Sequence, residues 1–164
     1  MHLDYKTEIE KVYQALGESQ LMVLASSSQN HTTARMMSCV IYDGKIAFQT
    51  STELHKFKQI TDNPRVALCI NNISIEGIAN IIGHPLEDQC KSFTDLYKKH
   101  HASSYEKYSP IKSNRLIEVT PQLITLWVYE NGEPFRLFID MQNETASMEP
   151  YDCADRYHDG VIHD

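Results

Sequence analysis

Four side chains able to grip a phosphate follow one another in this sequence. Arg35 opens a run of strand-forming residues, Thr50 and Ser51 close the next such run, and Lys56 comes shortly after on a segment of helical period. A guanidinium, two hydroxyls and an ammonium at one mouth suit a dianionic phosphate, because bonds between fixed cations and phosphate oxygens are the strong ones. A helix starting near Ser51 and Thr52 adds backbone amides and the positive end of its dipole. Between the cations, Met36, Met37 and Ser38 offer strand backbone beside apolar atoms, which is what a flat amphipathic ring requires. His55, next to Lys56, brings an imidazole to the same place. Taken singly, Arg35 and Lys56 are ordinary surface charges and Met36–Met37 ordinary core; the linked order carries the reading.

Other reactive residues are less organised. Cys39, Cys69, Cys90 and Cys153 stand far apart with no C-x-x-C pair, so they read as buried free thiols and not as a redox pair or zinc knuckle. His100, His101, His158 and His163, with Asp152, Asp155 and Asp159 nearby, match no structural zinc spacing, and no metal is expected.

The elements that must position these groups can be read from period and punctuation. Ile9, Val12, Tyr13 and Leu16 make one helical stripe, with Asp4 as N-cap and Gly17 as stop. Short β-rich runs follow at 21–26 and 34–42, with the polar SSQNHT between them as a turn. Asp43-Gly44 is a two-residue hairpin signal leading into 45–50. Leu54, Phe57 and Ile60 then mark a helix that ends at Asp62-Asn63-Pro64. Strands are expected at 65–70 and 73–82 around an Asn71-Asn72 turn, and a second long helix at 86–101, followed by a loop through ASSYEKYS. Further strands at 114–119, 123–129 and 135–139 include another hairpin at Asn131-Gly132. From Met141 the chain is polar and acidic without apolar period, which predicts a loosely ordered tail. About eight short strands with interspersed helices predict a mainly β chain folded as a small antiparallel barrel, and not parallel βαβ units.

The 164 residues suffice for one domain with its own core. A formal charge of −7 argues against a general grip on nucleic acid. No run of about 18 apolar residues suggests a membrane span, and the charged opening MHLDYKTEIEKVYQAL is unlike a signal peptide, so a soluble cytoplasmic protein is expected.

The stretch from Thr33 to Asn80, with an Arg opening a strand, a hairpin, F-x-T, a helix with Lys and then N-P-R-V-A, resembles the flavin mononucleotide (FMN) binding core of the pyridoxamine 5'-phosphate oxidase-like split-barrel superfamily. The close match covers about a third of the chain. It implies an antiparallel split β-barrel with flanking helices, a homodimer with FMN at its interface, a binding domain over residues 1–140 and a polar tail over 141–164. It also implies that Arg35 and Lys56 hold the phosphate with Ser51 and His55 nearby, and that Met36, Met37 and Ser38 line the ring. Gln49 and Thr50 would touch the ring edge or ribityl chain, Asn72 the pyrimidine edge, and Trp127 would stack on the flavin from the other subunit. His31 is a further candidate on the substrate side.

Several positions depart from the pattern. Leu54-His55-Lys56 stands where the family commonly reads S-x-K or S-R-K, and Val40 where the vitamin B6 oxidases carry Lys. The Tyr, Arg and Ser spacing with which those oxidases hold the substrate phosphate is not found in 97–105, and their Trp-Arg C-terminal signature is missing. The resemblance thus points to the shorter relatives, such as flavin reductase-like and nitroimidazole-resistance proteins. It implies an FMN-dependent oxidoreductase acting on a small planar or nitro-bearing molecule with NADH or NADPH as donor. The alternatives are a flavin or haem carrier or sensor without turnover, and a structural dimer or deazaflavin site.

Overall fold

The computed structural model describes residues 1–151. Nine strands and four helices follow one another as β1 (His2–Leu3), α1 (Tyr5–Leu16), β2 (Ser19–Ser28), β3 (His31–Tyr42), β4 (Lys45–Ser51), α2 (His55–Asp62), β5 (Arg65–Ile70), β6 (Ile73–Gly83), α3 (Lys91–His100), α4 (Ala102–Tyr108), β7 (Asn114–Glu130), β8 (Glu133–Asp140) and β9 (Thr145–Pro150). Every pairing is antiparallel. Six strands run β7-β4-β3-β2-β5-β6, and β6 returns to pair with β7, which closes a barrel; β8, β9 and β1 extend from β7 as a flap.

Closure is tight where β6 crosses β7. A side chain at Gly77 would meet the Thr120 carbonyl oxygen and Val119 Cγ1, both at 2.7 Å, and the ladder shifts register between Glu76 and Gly77. Glycine lets the two backbones approach there and turns the barrel corner.

The core follows from strand alternation. Met22, Leu24, Cys39, Ile41, Ile46, Phe48, Leu68, Ile75, Ile117, Val119 and Ile124 fill the barrel, joined by Val12 and Leu16 of α1 and Ile60 of α2. A smaller cluster, Val40, Ala47, Cys90, Phe93, Tyr97 and Leu116, seats α3 on the outer face of β3 and β4. Asp4 caps α1 by accepting from the Thr7 amide at 2.8 Å, and Gly17 ends the helix at φ +62°. Both central residues of the Asp43-Gly44 turn have positive φ, as do those of Asn131-Gly132.

Four expectations are corrected. The turn predicted over SSQNHT shrinks to Gln29-Asn30, both at positive φ, and the ladder runs on through Ser26↔Thr33 and Ser28↔His31. The polar residues remain in strands with their backbone satisfied from α2 and its end: Gln59 Nε2 donates to the His31 carbonyl at 2.9 Å and Asn63 Nδ2 to the Ser27 carbonyl at 3.1 Å. The two strands expected over 114–129 are one, since Pro121 faces the register shift at Gly77 and gives up no ladder bond there. ASSYEKYS is largely helix α4, with Tyr105 packed on the smaller core. The chain after Met141 is not all loose: β9 pairs with β8 and buries Ala146 and Met148. Residues 152–164, which include Cys153, His158 and His163, lie outside the described residues.

Candidate functional site

Strands β3 and β4 pair only at Val40↔Ala47, Ile41↔Ile46 and Tyr42↔Lys45. Beyond that point they diverge. β3 continues beside β2, and β4 continues beside β7 as far as Ser51↔Asn114. The β4-facing edge of Met36–Cys39 is therefore left without a strand partner, and a wedge opens between it and Gln49–Ser51.

The wedge is the floor of a cleft of about 610 Å³. Met36, Met37 and Ser38 form one wall, Gln49, Thr50 and Ser51 another, and Leu54 and Lys56 enter from the start of α2. Tyr97, Ser104, Tyr108, Ile111, Ser113 and Asn114 complete it from α3, α4 and the following loop. Seven of the residues expected from sequence are thus brought together.

Two atoms in this cleft stand out. Among the described residues, Gln49 Nε2 and Thr50 Oγ1 are buried without a partner in hydrogen-bond geometry, Gln49 Nε2 having only the Tyr97 phenol as a polar neighbour, a condition that costs on the order of 1–3 kcal/mol each unless a ligand or water relieves it. The other end of the Gln49 amide is fixed, since Ser109 Oγ donates to Oε1 at 3.0 Å. The buried Tyr97 phenol faces Gln49, Ser104 and Ser38; burial raises its pKa, and these three polar neighbours oppose that rise. Phe93 stacks on the Tyr97 ring at 4.9 Å, and His101 packs against it while holding the Cys39 carbonyl at 3.0 Å.

Lys56 is half-buried, and its pKa is lowered first by burial and then by the charge of Arg35. Arg35 does not line the cleft directly. Its guanidinium donates inward to Leu24 O, Ser26 Oγ and Thr33 Oγ1, so it is a strut between β3 and β2 that places positive charge behind Lys56. His55 also lies outside the lining, its ring 5.6 Å from that of His31. The helix begins at His55 and not near Ser51: Ser51 O accepts from the Leu54 amide and Ser51 Oγ from the Glu53 amide, which makes a turn of the intervening residues. Ser51 Oγ is also 2.8 Å from Ser113 Oγ.

Asn72 and Trp127 are brought to each other and not to the cleft. Asn72 Nδ2 donates to Trp127 O at 2.7 Å. Trp127 is thirteen residues along β7 from the cleft residue Asn114, up to about 40 Å on an extended strand. Its indole is exposed and meets Tyr151 edge to face.

Sequence reasoning missed the wall made by Tyr97, Ser104, Tyr108, Ser113 and Asn114. Nothing local in the sequence shows that Tyr97 borders a cleft as well as a core. Of the cysteines in the described residues, Cys39 and Cys90 are buried as expected, whereas Cys69 is exposed on β5, on the side of that strand which no described element covers. Among the described residues, no three His, Cys, Asp or Glu side chains are grouped to hold a metal. No helix among them is long and apolar enough to cross a membrane.

The pyridoxamine 5'-phosphate oxidase family model matches residues 8–128, most of the chain. Solved structures share the fold at low identity. A putative pyridoxamine 5'-phosphate oxidase from Listeria innocua is 21% identical, with 73% of this chain and 97% of that one covered at a TM-score of 0.58. A NimC/NimA family protein from Clostridium acetobutylicum is 15% identical, with 90% and 96% covered at 0.54. The haem storage protein HutZ from Vibrio cholerae is 13% identical, with 76% and 95% covered at 0.61. No curated protein matches in sequence.

Proposed function

The chain belongs to the pyridoxamine 5'-phosphate oxidase family, and we propose that it binds FMN in the wedge between β3 and β4 and serves as an oxidoreductase of a small planar or nitro-bearing molecule. The observation that carries this reading is the pair of buried, unpartnered polar atoms, Gln49 Nε2 and Thr50 Oγ1, in a cleft whose cationic end is Lys56 backed by Arg35. A donor and a hydroxyl buried without partners fit a ligand that supplies acceptors. The open edge of Met36–Ser38 fits the hydrogen-bonding rim of a flat ring, and Lys56 fits a phosphate.

When bound, the flavin supplies the electron transfer itself, with NADH or NADPH as donor. The protein's part is to bind and orient. Ser109 holds the Gln49 amide, Arg35 reinforces the charge at Lys56, and the α3–α4 wall limits access.

The reading includes a homodimer and a cytoplasmic location, where reduced nicotinamide nucleotides are supplied. Leu21 (57% exposed), Val23 (37%) and Met36 (59%), with Cys69, form an uncovered apolar stripe across β3, β2 and β5, in register through Val23↔Met36 and Val23↔Cys69. Met36 also lines the cleft, so a second copy on this stripe sits beside the flavin. In that dimer, Trp127 and Asn72 of the partner are the candidates to complete the site.

Titration of the apoprotein with FMN and riboflavin tests the cofactor reading. FMN binding more tightly than riboflavin is expected, and Lys56→Ala should remove roughly 1.5–3 kcal/mol of that difference. Equal affinity for the two in the wild type takes the phosphate away from Lys56.

A further inference from the structure

His31 and His55, both candidates from sequence, stand outside the cleft lining and beside each other. Their ring centroids are 5.6 Å apart and the rings are tilted by 46°. Both residues are exposed, and among the described residues neither imidazole forms a hydrogen bond or an ion pair. Other histidines are committed. His84 Nε2 lies 3.0 Å from the Ile111 carbonyl oxygen, His100 Nε2 2.8 Å from Glu18 Oε2, and His101 Nε2 3.0 Å from the Cys39 carbonyl oxygen.

The two backbones that carry the pair are fixed to each other. His31 opens β3, pairs with Ser28 across the Gln29-Asn30 turn, and accepts at its carbonyl from Gln59 Nε2 at 2.9 Å. Gln59 is fully buried and stands four residues after His55 on α2, about one turn along the same face. One side chain thus sets the distance between the start of the helix and the start of the strand. Thr33, on the face of β3 that His31 shares, donates from Oγ1 to Gln59 Oε1 at 2.8 Å and fixes the same seam.

We propose that His31 and His55 together hold one divalent transition-metal ion of the zinc class, with water completing its coordination. A ring nitrogen lies about 1.2 Å from its centroid. At a metal–nitrogen distance of about 2.0–2.1 Å, two imidazoles on one ion therefore have centroids about 5.2 Å apart at the tetrahedral angle and about 6.5 Å apart when opposite each other. The observed 5.6 Å lies between these limits. Imidazole nitrogens suit zinc, copper and nickel, whereas calcium and magnesium take oxygen ligands. The neighbouring cations are directed elsewhere: Lys56 lines the cleft, and the Arg35 guanidinium is turned to Leu24 O, Ser26 Oγ and Thr33 Oγ1. Glu53, exposed on the turn before α2, and the formal charge of −7 favour a cation. Bound there, the ion staples the start of α2, from which Lys56 enters the cleft, to the start of β3. The site is independent of the flavin reading.

The test titrates zinc ion into the chelator-stripped full-length protein by isothermal titration calorimetry. Wild type, His31→Ala, His55→Ala and the double variant are run side by side, so that zinc taken up elsewhere on the chain is common to all four. Loss of even an outer partner of a ligand costs a metal site about 10–100-fold in affinity, so each single variant should lose one binding event or bind it at least about tenfold more weakly. The double variant should lose no more than either single one, because both rings serve one ion. Zinc should raise the melting temperature of the wild type more than that of any variant, and without zinc all four should melt together, both rings being exposed. Isotherms that coincide in all four proteins, or losses that add in the double variant, overturn the proposal.

Discussion

Ser109 Oγ donates to Gln49 Oε1 at 3.0 Å, and both residues are buried. The bond joins the end of α4 to the middle of the barrel and leaves the amide with one orientation, its Nε2 buried in the cleft without a partner. A preset donor of this kind loses less freedom when a ligand arrives. Ser109→Ala should therefore weaken FMN binding by about 0.5–1.5 kcal/mol, measured as a several-fold rise in Kd by flavin fluorescence. An unchanged Kd would show that the amide needs no such support.

Thr50 offers a test in which stability and binding move in opposite directions. Its hydroxyl is buried and unpartnered, so the near-isosteric Thr50→Val should stabilise the apoprotein by about 1 kcal/mol while weakening FMN. Thermal melts of apo and FMN-loaded protein read both effects. A destabilised apo variant would mean that the hydroxyl has a structural role.

The lowered pKa of Lys56 sets a pH dependence. Burial and the neighbouring Arg35 disfavour its ammonium, whereas a bound phosphate favours it. FMN affinity should be fully present below this lowered pKa and fall as pH rises through it, at a lower pH than for an exposed lysine. Without ligand the sign is opposite: the unfolded chain holds the proton more tightly, so the Lys56 contribution to stability rises with pH across the interval up to the ordinary lysine value. Lys56→Arg should keep FMN affinity flat over the same range, and a fall in both proteins would assign the titration to another group.

The apolar stripe makes a prediction about association. Val23→Lys places a charge at its centre and should shift the protein from dimer to monomer in sedimentation velocity. The exposed Cys69 reports on the same face: maleimide labelling should be slow in the wild type and fast in the variant. Cys39 is buried, and its thiol pKa is pushed up to about 12, so it should stay unlabelled in both. A wild-type monomer with freely labelled Cys69 contradicts the assignment.

What could be read from sequence was mostly what is decided locally or repeated in a known order. The Asp43-Gly44 and Asn131-Gly132 hairpins need positive φ, and their residues announce it. The α1 stripe and its caps follow from spacing and end chemistry. The two walls of the wedge, Met36–Ser38 and Gln49–Ser51, were legible as a linked pattern. Long-range decisions were not. Ser27 and His31 remain in strands with their carbonyls held by Asn63 and Gln59, which lie on a different part of the chain. Glycine at position 77 gives no sign in sequence that it faces β7 and lets one strand pass from Asn114 to Glu130. The polar α4 has little apolar period of its own and is placed by its packing on α3, so its part in the cleft becomes visible only in three dimensions.

The central claim is tested most directly by the visible absorption spectrum of the purified protein, taken before and after incubation with excess FMN and desalting, with the released chromophore identified by mass. Two flavin bands that survive desalting, and a released mass matching FMN, are the predicted result. A colourless protein that retains no FMN contradicts the account and leaves the wedge between β3 and β4 to a different ligand.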